Sequence, residues 1–237
     1  MVASGRSMVA GGTPQVVSCV AMCPLVIWDW NGTLLDDVEI CVQSMNLLLG
    51  RRGLTPMTVD QYRSVFTFPV QRYYELVGFD FQSESFSDVA LEYHEAYEGL
   101  VRRAKLHSDA IQALERLSAQ EVSQVVLSAL EERRLHNELR IRGIGHHFTH
   151  AFGLSDLHAR SKAERGRELV AALESGTSVR WMIGDTDHDA EVAAEIGATC
   201  VLVSCGHHSY ERLSRAGVPV VSNLTEAIAV IQNGLTR

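Results

Sequence analysis

Lysine is almost absent from this chain. Only Lys105 and Lys162 occur, so nearly all of the positive charge is arginine. Basic residues are outnumbered 21 to 29 by acidic ones, giving a net charge of −8. That balance excludes a sequence-independent grip on nucleic acid, which needs a basic face. The five cysteines, Cys19, Cys23, Cys41, Cys200 and Cys205, are odd in number and follow no metal-ligand spacing. Neither a disulfide framework nor a structural zinc site is expected, and a reduced, cytoplasmic setting fits best. No stretch is long and apolar enough to span a bilayer, so no membrane association is expected. Residues 16–28 are apolar, but they have no basic leader and run straight into Asp29-Trp30-Asn31, unlike a signal peptide. There are no internal repeats and no low-complexity tracts. Residues 1–15, rich in glycine, serine and alanine, read as a tail.

What is present is ordinary globular material: 46% hydrophobic and 21% charged residues in 237 positions. That is enough for one substantial domain, with or without a smaller inserted one. The organising stretch is residues 25–37, Leu-Val-Ile-Trp-Asp-Trp-Asn-Gly-Thr-Leu-Leu-Asp-Asp. Its first four residues predict a short buried strand. Asp29 falls at the carboxyl end of that strand, and Gly32 lets the backbone curl so that successive N–H groups face whatever lies beside Asp29. Asp36 and Asp37 are placed to cap a helix over 38–52. Two more helices are predicted at 58–77 and 87–103, with no buried strand among them. From Ser108, read as the cap of a helix over 109–119, the chain alternates between strand and helix. Strands are expected at 122–127, 149–152, 179–183, 199–203 and 219–221. Helices are expected at 131–142, 161–174, 190–196 and 210–215, with a last one from 225. This pattern predicts an α/β fold: a doubly wound, mostly parallel sheet with an inserted α-helical cap domain. The expected boundaries are a tail and lead-in at 1–22, a core at 23–37 and 104–237, and a cap at 38–103.

In such sheets, ligands sit beyond the carboxyl ends of the strands. Asp29, Ser128 and Asp185 each end a predicted strand, Asp189 follows four residues after Asp185, and Lys162 opens a helix. Three carboxylates, a hydroxyl and a lysine at one sheet edge point to a metal–phosphate site. Hard oxygen ligands suit Mg²⁺, and the lysine would offset phosphoryl charge.

Four elements in order, Asp29-Trp30-Asn31-Gly32-Thr33, Val126-Leu127-Ser128, Lys162 and Gly184-Asp185-Thr186-Asp187-His188-Asp189, resemble the haloacid dehalogenase-like superfamily. The resemblance covers about residues 23–233, and the helical insert after the first element matches the cap of phosphoglycolate-phosphatase-like members. It implies a Mg²⁺-dependent phosphohydrolase acting on a small phosphorylated metabolite. Asp29 would become an aspartyl-phosphate. The Asn31 carbonyl and Asp185 would hold the metal beside Asp29, with Asp189 supporting directly or through water. Ser128, Ala129, Asn31, Gly32 and Thr33 would bind phosphoryl oxygens, with Lys162 balancing charge. One departure stands out: Asn31 occupies the position of a second aspartate that normally serves as acid and base. General acid–base help is worth roughly 10²- to 10⁴-fold. A substitute acid could come from Asp187, His188, His158 or the cap. Otherwise the substrates have good leaving groups, or the protein is a catalytically weak phosphometabolite-binding relative. A phosphomutase would share the nucleophile.

Elsewhere the expectations are plain. His146, His147 and His150 are read as solvated or structural loop residues, and His207 and His208, at the active-site edge of the sheet, as surface loop or substrate contacts. Phe66, Phe68, Pro69, Tyr73 and Tyr74 are read as core between cap helices. Arg63 and Arg72 could reach an anionic substrate tail, and residues 131–134 read as an exposed helix face.

Overall fold

The computed structural model describes residues 24–154, 162–173 and 179–235. The expected tail at 1–22, His158, and both ends of the helix expected at 161–174 lie outside the described residues. The first strand, β1 (Leu25–Trp28), is followed by the short β2 (Leu35–Asp36). Four helices come next: α1 (Val38–Arg51), α2 (Val59–Val65), α3 (Val70–Leu76) and α4 (Phe86–Leu100). Then β3 (Lys105–Leu106) pairs antiparallel with β2, drawing together the two chain crossings that bracket the helical insert. The alternating part runs α5 (Ala110–Ser118), β4 (Ser123–Glu131), α6 (Glu132–Ile141), β5 (His150–Leu154), α7 (Lys162–Ala172) and β6 (Arg180–Gly184). It ends with α8 (Asp187–Glu195), β7 (Thr199–Val203), α9 (Tyr210–Leu213), β8 (Val220–Val221) and α10 (Leu224–Leu235).

The main sheet has six parallel strands in the order β5-β4-β1-β6-β7-β8. The sequence-based fold class holds. Alternate residues of each central strand enter separate apolar layers. Val26, Trp28, Val126 and Ile183 pack on one side, Leu25, Ile27, Val125 and Met182 on the other. Burial on both faces explains why these strands are continuously apolar rather than alternating. The helical insert has an apolar cluster of its own, centred on Met45, Leu48, Tyr62, Tyr73 and Tyr74.

Strand order reverses at β1, whose two neighbours are β4 and β6, so the crevice at its carboxyl end is the natural ligand position. Trp28 lies opposite Ile183 and Val126, which brings Asp29 level with the end of β6.

Several expectations need correction. The helix expected at 58–77 is two helices, because Pro69 lacks an N–H and disfavours helical backbone before it. Phe66 still packs against Tyr62 and Tyr73 in the core of the insert, as expected, whereas Phe68 lies outside that cluster and is 41% exposed. The helix starting near 109 is preceded by Asp109 as its cap residue, not Ser108, and the Asp109 carboxylate accepts from the N–H and hydroxyl of Thr225 instead of capping. Strand β4 continues past Ser128 to Glu131, with its pairing to β5 irregular between Leu127 and Glu131. Ser128 therefore sits at an interruption of the ladder rather than at the strand's end.

Candidate active site

Asp29 follows β1 as a buried residue whose N–H bonds to Ile183 O, 2.9 Å away. Beyond it the chain turns tightly: Leu34 and Leu35 both donate to Trp30 O, and Gly32 N donates to Leu35 O. Gly32 has φ +77°, and a Cβ there would overlap the Asp185 carboxylate. A Cβ at Gly206 would overlap the same group, so Asp185 is clasped between two glycines that permit this approach. The Asp185 side chain accepts from Thr33 Oγ1 at 3.1 Å and from His207 N at 2.6 Å.

Asp189 lies in the first turn of α8, folded back in a reciprocal cap with Thr186. Its Oδ2 accepts from Asp185 N, Thr186 N and Thr186 Oγ1, while Oδ1 accepts from Lys162 Nζ at 2.6 Å. Gly184 leaves room for this fold, since a Cβ there would overlap Asp189. Lys162 Nζ also donates to Asp29 Oδ1, bridging the two carboxylates from the start of α7. Asp29, Asn31, Ser128, Ala129, Lys162, Asp185 and Asp189 thus border one cavity of about 100 Å³. Thr33 touches it through Asp185.

Electrostatics at the site are those of too many buried carboxylates. Burial pushes Asp29 up to about 6 against the pull of Lys162. Burial likewise pushes Asp185 up to about 8, with Asp29 and Asp189 adding to the rise and His207 opposing it. Asp189 is held below the usual carboxylate range despite its burial, because Lys162 is so close. Lys162 stays firmly charged: burial works against it, but Asp189 and Asp29 outweigh that. One oxygen from each of Asp29, Asp185 and Asp189 lies within 4.8 Å of the others. A small hard cation fits this donor set, since it would supply the charge that Asp185 lacks.

A second buried cluster adjoins the first and was not foreseen as a unit. Asp37 is the residue before α1, yet its carboxylate makes no capping bond. It turns inward and accepts from Asn31 Nδ2 (2.8 Å), Gly32 N (2.9 Å) and Tyr97 OH (2.6 Å). His207 Nε2 lies 3.4 Å from it, and His207 Nδ1 is 2.9 Å from Tyr62 OH. His207 and His208 are buried rather than surface-loop residues, because the chain after β7 turns back under the insert, and His207 borders the cavity. Burial draws the His207 pKa down, but Asp37, Asp185 and Asp29 together raise it to about 9. His208 is instead lowered to about 4, chiefly by burial, and its Nδ1 accepts from Asp187 N. The signal for His207 was its position just past the carboxyl end of β7, next to β6. The signal for Asp37 was a doubled aspartate where one cap residue suffices.

Other expectations resolve as follows. Gly32 N–H is taken by Leu35 O and Asp37, so it is not free for a phosphoryl oxygen. Asp187 pairs with Arg212 (2.7 Å) and does not border the cavity, whereas His188 does. Arg63 does not border this cavity: it donates to the carbonyls of Gly206 and Cys205, both at 2.8 Å. Arg72 pairs with Glu75 at the surface. Tyr73, Tyr74 and Phe66 are core of the insert, as expected, and Phe66 together with Phe68 also walls the cavity.

Comparison with known proteins points one way. The model of the haloacid dehalogenase-like hydrolase family matches residues 26–203, well over half of the chain. The probable phosphatase IndB of Dickeya dadantii (strain 3937) is 23% identical over 207 residues, 84% of this chain and 89% of that protein. A haloacid dehalogenase-like family hydrolase from Streptococcus pneumoniae superposes with TM-score 0.77 at 18% identity, covering 89% of this chain and 99% of that one. A predicted phosphoglycolate phosphatase from Haemophilus somnus 129pt gives TM-score 0.70 at 17% identity, with the same two coverages. The strand-end carboxylates, the bridging lysine and this match agree, and the chain belongs to the haloacid dehalogenase-like hydrolase family.

Proposed function

We propose that the protein is a phosphatase that removes phosphate from a small phosphorylated metabolite through an aspartyl-phosphate on Asp29. The observation that carries this reading is the Lys162 ammonium set between Asp29 and Asp189, with Asp185 alongside, at the reversal point of the sheet. Such a site holds a nucleophilic carboxylate against a fixed positive charge, as phosphoryl transfer requires. The phosphatase name of the Dickeya relative supports it.

In this reading Asp29 attacks phosphorus while Ser128 and the N–H groups of Thr33 and Ala129 bind phosphoryl oxygens. Mg²⁺ would be held by Asp29, Asp185 and the Asn31 carbonyl, and would polarise the phosphoryl group when bound. Both Asp189 oxygens already accept bonds from Lys162 and the Asp185–Thr186 backbone, so Asp189 acts by fixing Lys162 and the loop. Residues 23–37 and 104–237 form the catalytic core, and residues 38–103 form a cap whose Phe66 and Phe68 close the cavity against water. A cytoplasmic setting belongs to the same proposal, supported by the free thiols of Cys41, Cys200 and Cys205. No helix among the described residues is long and apolar enough to cross a membrane.

Steady-state assays on p-nitrophenyl phosphate and a panel of sugar and acid phosphates, with Mg²⁺ or EDTA, test the proposal. Turnover should require Mg²⁺ and vanish in Asp29→Asn. Turnover that survives Asp29→Asn would sink it. Asn31 favours a second reading, a phosphometabolite-binding protein, which absence of turnover together with Mg²⁺-dependent phosphate binding would support.

A further inference from the structure

The side chain beside the nucleophile that borders the cavity from the loop is an amide that cannot turn. Asn31 Nδ2 donates to Asp37 Oδ2 at 2.8 Å and to the Tyr97 hydroxyl oxygen at 2.9 Å. Tyr97 sends its own hydrogen to Asp37 Oδ2, 2.6 Å away. A carboxylate only accepts, so the amide must present nitrogen to Asp37 and cannot be reversed. Asp37 is itself fixed, 1% exposed and gripped by Gly32 N–H, Tyr97 and His207. The planar group therefore leaves Oδ1, an acceptor without a hydrogen, for the cavity that Asn31 borders. A leaving-group oxygen departing beside Asn31 receives neither a proton nor a hydrogen bond from it.

Of the other groups around the cavity, the Ser128 hydroxyl accepts from Leu130 N and keeps its hydrogen for a phosphoryl oxygen, and the nitrogens are placed as follows. Lys162 is shared between Asp29 and Asp189. Both ring nitrogens of His207 are engaged, by Tyr62 and Asp37. His188 is half-buried at the rim, with Nδ1 3.2 Å from the solvent-facing Glu191 and its ring against Phe68, and it is the one side chain whose removal tests for a residual acid.

We propose that the substrates are phosphoryl compounds whose leaving group departs as a stable anion, namely acyl, enol or aryl phosphates and phosphoric anhydrides, and that alkyl phosphates are rejected. This rests on the reading of Asp29 as the phosphorylated nucleophile. In the first step an Asp29 carboxylate oxygen bonds to phosphorus, and the phosphorus–oxygen bond of the substrate breaks. The leaving oxygen keeps the electron pair and takes no proton. In the second step water bonds to phosphorus, the bond to Asp29 breaks with its electrons returning to the carboxylate, and the water's two protons leave on dihydrogen phosphate. Asn31 Oδ1 is suited to this step, because it can accept from the attacking water and orient it.

The test is a leaving-group series on the wild-type protein with Mg²⁺: aryl phosphates of similar size spanning a range of phenol acidity, with acetyl phosphate and glycerol phosphate. The expected result is a steep fall in kcat/KM as the leaving group becomes more basic, with glycerol phosphate about 10²- to 10⁴-fold below the best aryl phosphate. Exchanging the two groups in Asn31→Asp/Asp37→Asn should flatten that slope. A flat slope in the wild type overturns the proposal, and a flat slope that steepens in His188→Gln would assign the missing proton to His188. Turnover that survives Asp29→Asn, or no turnover even of the most activated aryl phosphate, overturns the phosphatase reading itself and this proposal with it. If the exchanged variant fails to fold, the wild-type series still decides.

Discussion

At the scale of single residues, the pair Asn31 and Asp37 behaves as one unit. The amide donates where a carboxylate would repel, so Asn31→Asp alone sets a half-buried carboxylate against the buried Asp37 beside Tyr97. We expect that variant to lose about 1–3 kcal/mol of stability, with Asp37→Asn restoring most of it. Thermal unfolding of the two single variants and the double variant checks this, and an Asn31→Asp protein as stable as wild type would contradict it. Gly206→Ala probes the other side of the site. The added methyl overlaps Asp185, so any rise in Tm given by Mg²⁺ should disappear in that variant. Asp29, Lys162, Asp185 and Asp189 were legible in the sequence because each lies at or just past a strand end or a helix start, where one chain position predicts one place in space. Asp37 and His207 were not legible as partners. Their meeting depends on a loop 170 residues downstream folding back under the insert, which no local pattern encodes.

Elements explain how the insert is held on the core. Arg63 of α2 donates to the carbonyls of Cys205 and Gly206, while Arg212 of α9 donates to Phe66 O and Thr67 Oγ1 and pairs with Asp187. Two arginines thus tie the α2–α3 break to the segment after β7 from opposite directions. Arg212→Ala removes charge-assisted bonds worth about 1–2 kcal/mol, a factor of about 5–30 in an opening equilibrium. Amide exchange around residues 66–68 should quicken by that order while exchange in β1 and β6 stays unchanged. Uniform exchange rates in the variant would show that Arg212 does not clasp the break. The aromatic run through Phe66 and Tyr74 looked like continuous helix from its spacing, and the single Pro69 was the signal that should have divided it. Strand and helix alternation was read with boundaries off by one to four residues, because terminal turns depend on tertiary contacts such as that of Asp109 with Thr225.

For the whole molecule, the titrating groups predict a stability that falls with pH when no metal is present. Asp29 and Asp185 rise from 3.8 to about 6 and about 8, so the folded chain holds protons that the unfolded chain has released. Stability therefore drops as pH climbs from about 4 toward 8. His207 acts in the same sense: its contribution is complete below its unfolded value of 6.5 and is lost as pH passes about 9, whereas His208, lowered to about 4, opposes the fall between about 4 and 6.5 and is outweighed by Asp29 and Asp185 together. Asp37 and Asp189 are lowered, so they contribute above 3.8 and fail only as acid titrates them. The metal-free protein should be most stable in mild acid. A cation competes with the proton on Asp185, so the gain in Tm from Mg²⁺ should grow between pH 6 and 8. Melting curves across pH 5–9 with Mg²⁺ or EDTA test both statements. A metal-free Tm that rises toward pH 8 would rule out the carboxylate crowding described here. The parallel sheet was legible from alternation alone, whereas the strand order was not, since it depends on which side of β1 each crossover returns to.

The double hydrogen bond made by Gly32 N has a further consequence, for the chemical lifetime of the chain. An asparagine followed by glycine ordinarily ages by cyclisation: the glycine nitrogen attacks the side-chain amide carbon, expels ammonia and leaves aspartate or its isomer. Here that nitrogen points at Leu35 O and Asp37 Oδ1, while the Asn31 amide is held on Asp37 and Tyr97. The attacking atom and its target are tied to the same carboxylate and cannot align. The folded protein should therefore keep its encoded amide through prolonged storage, and mass spectrometry should find a one-dalton gain at residue 31 accumulating only after unfolding. The contacts that set the chemistry of position 31 also preserve its identity.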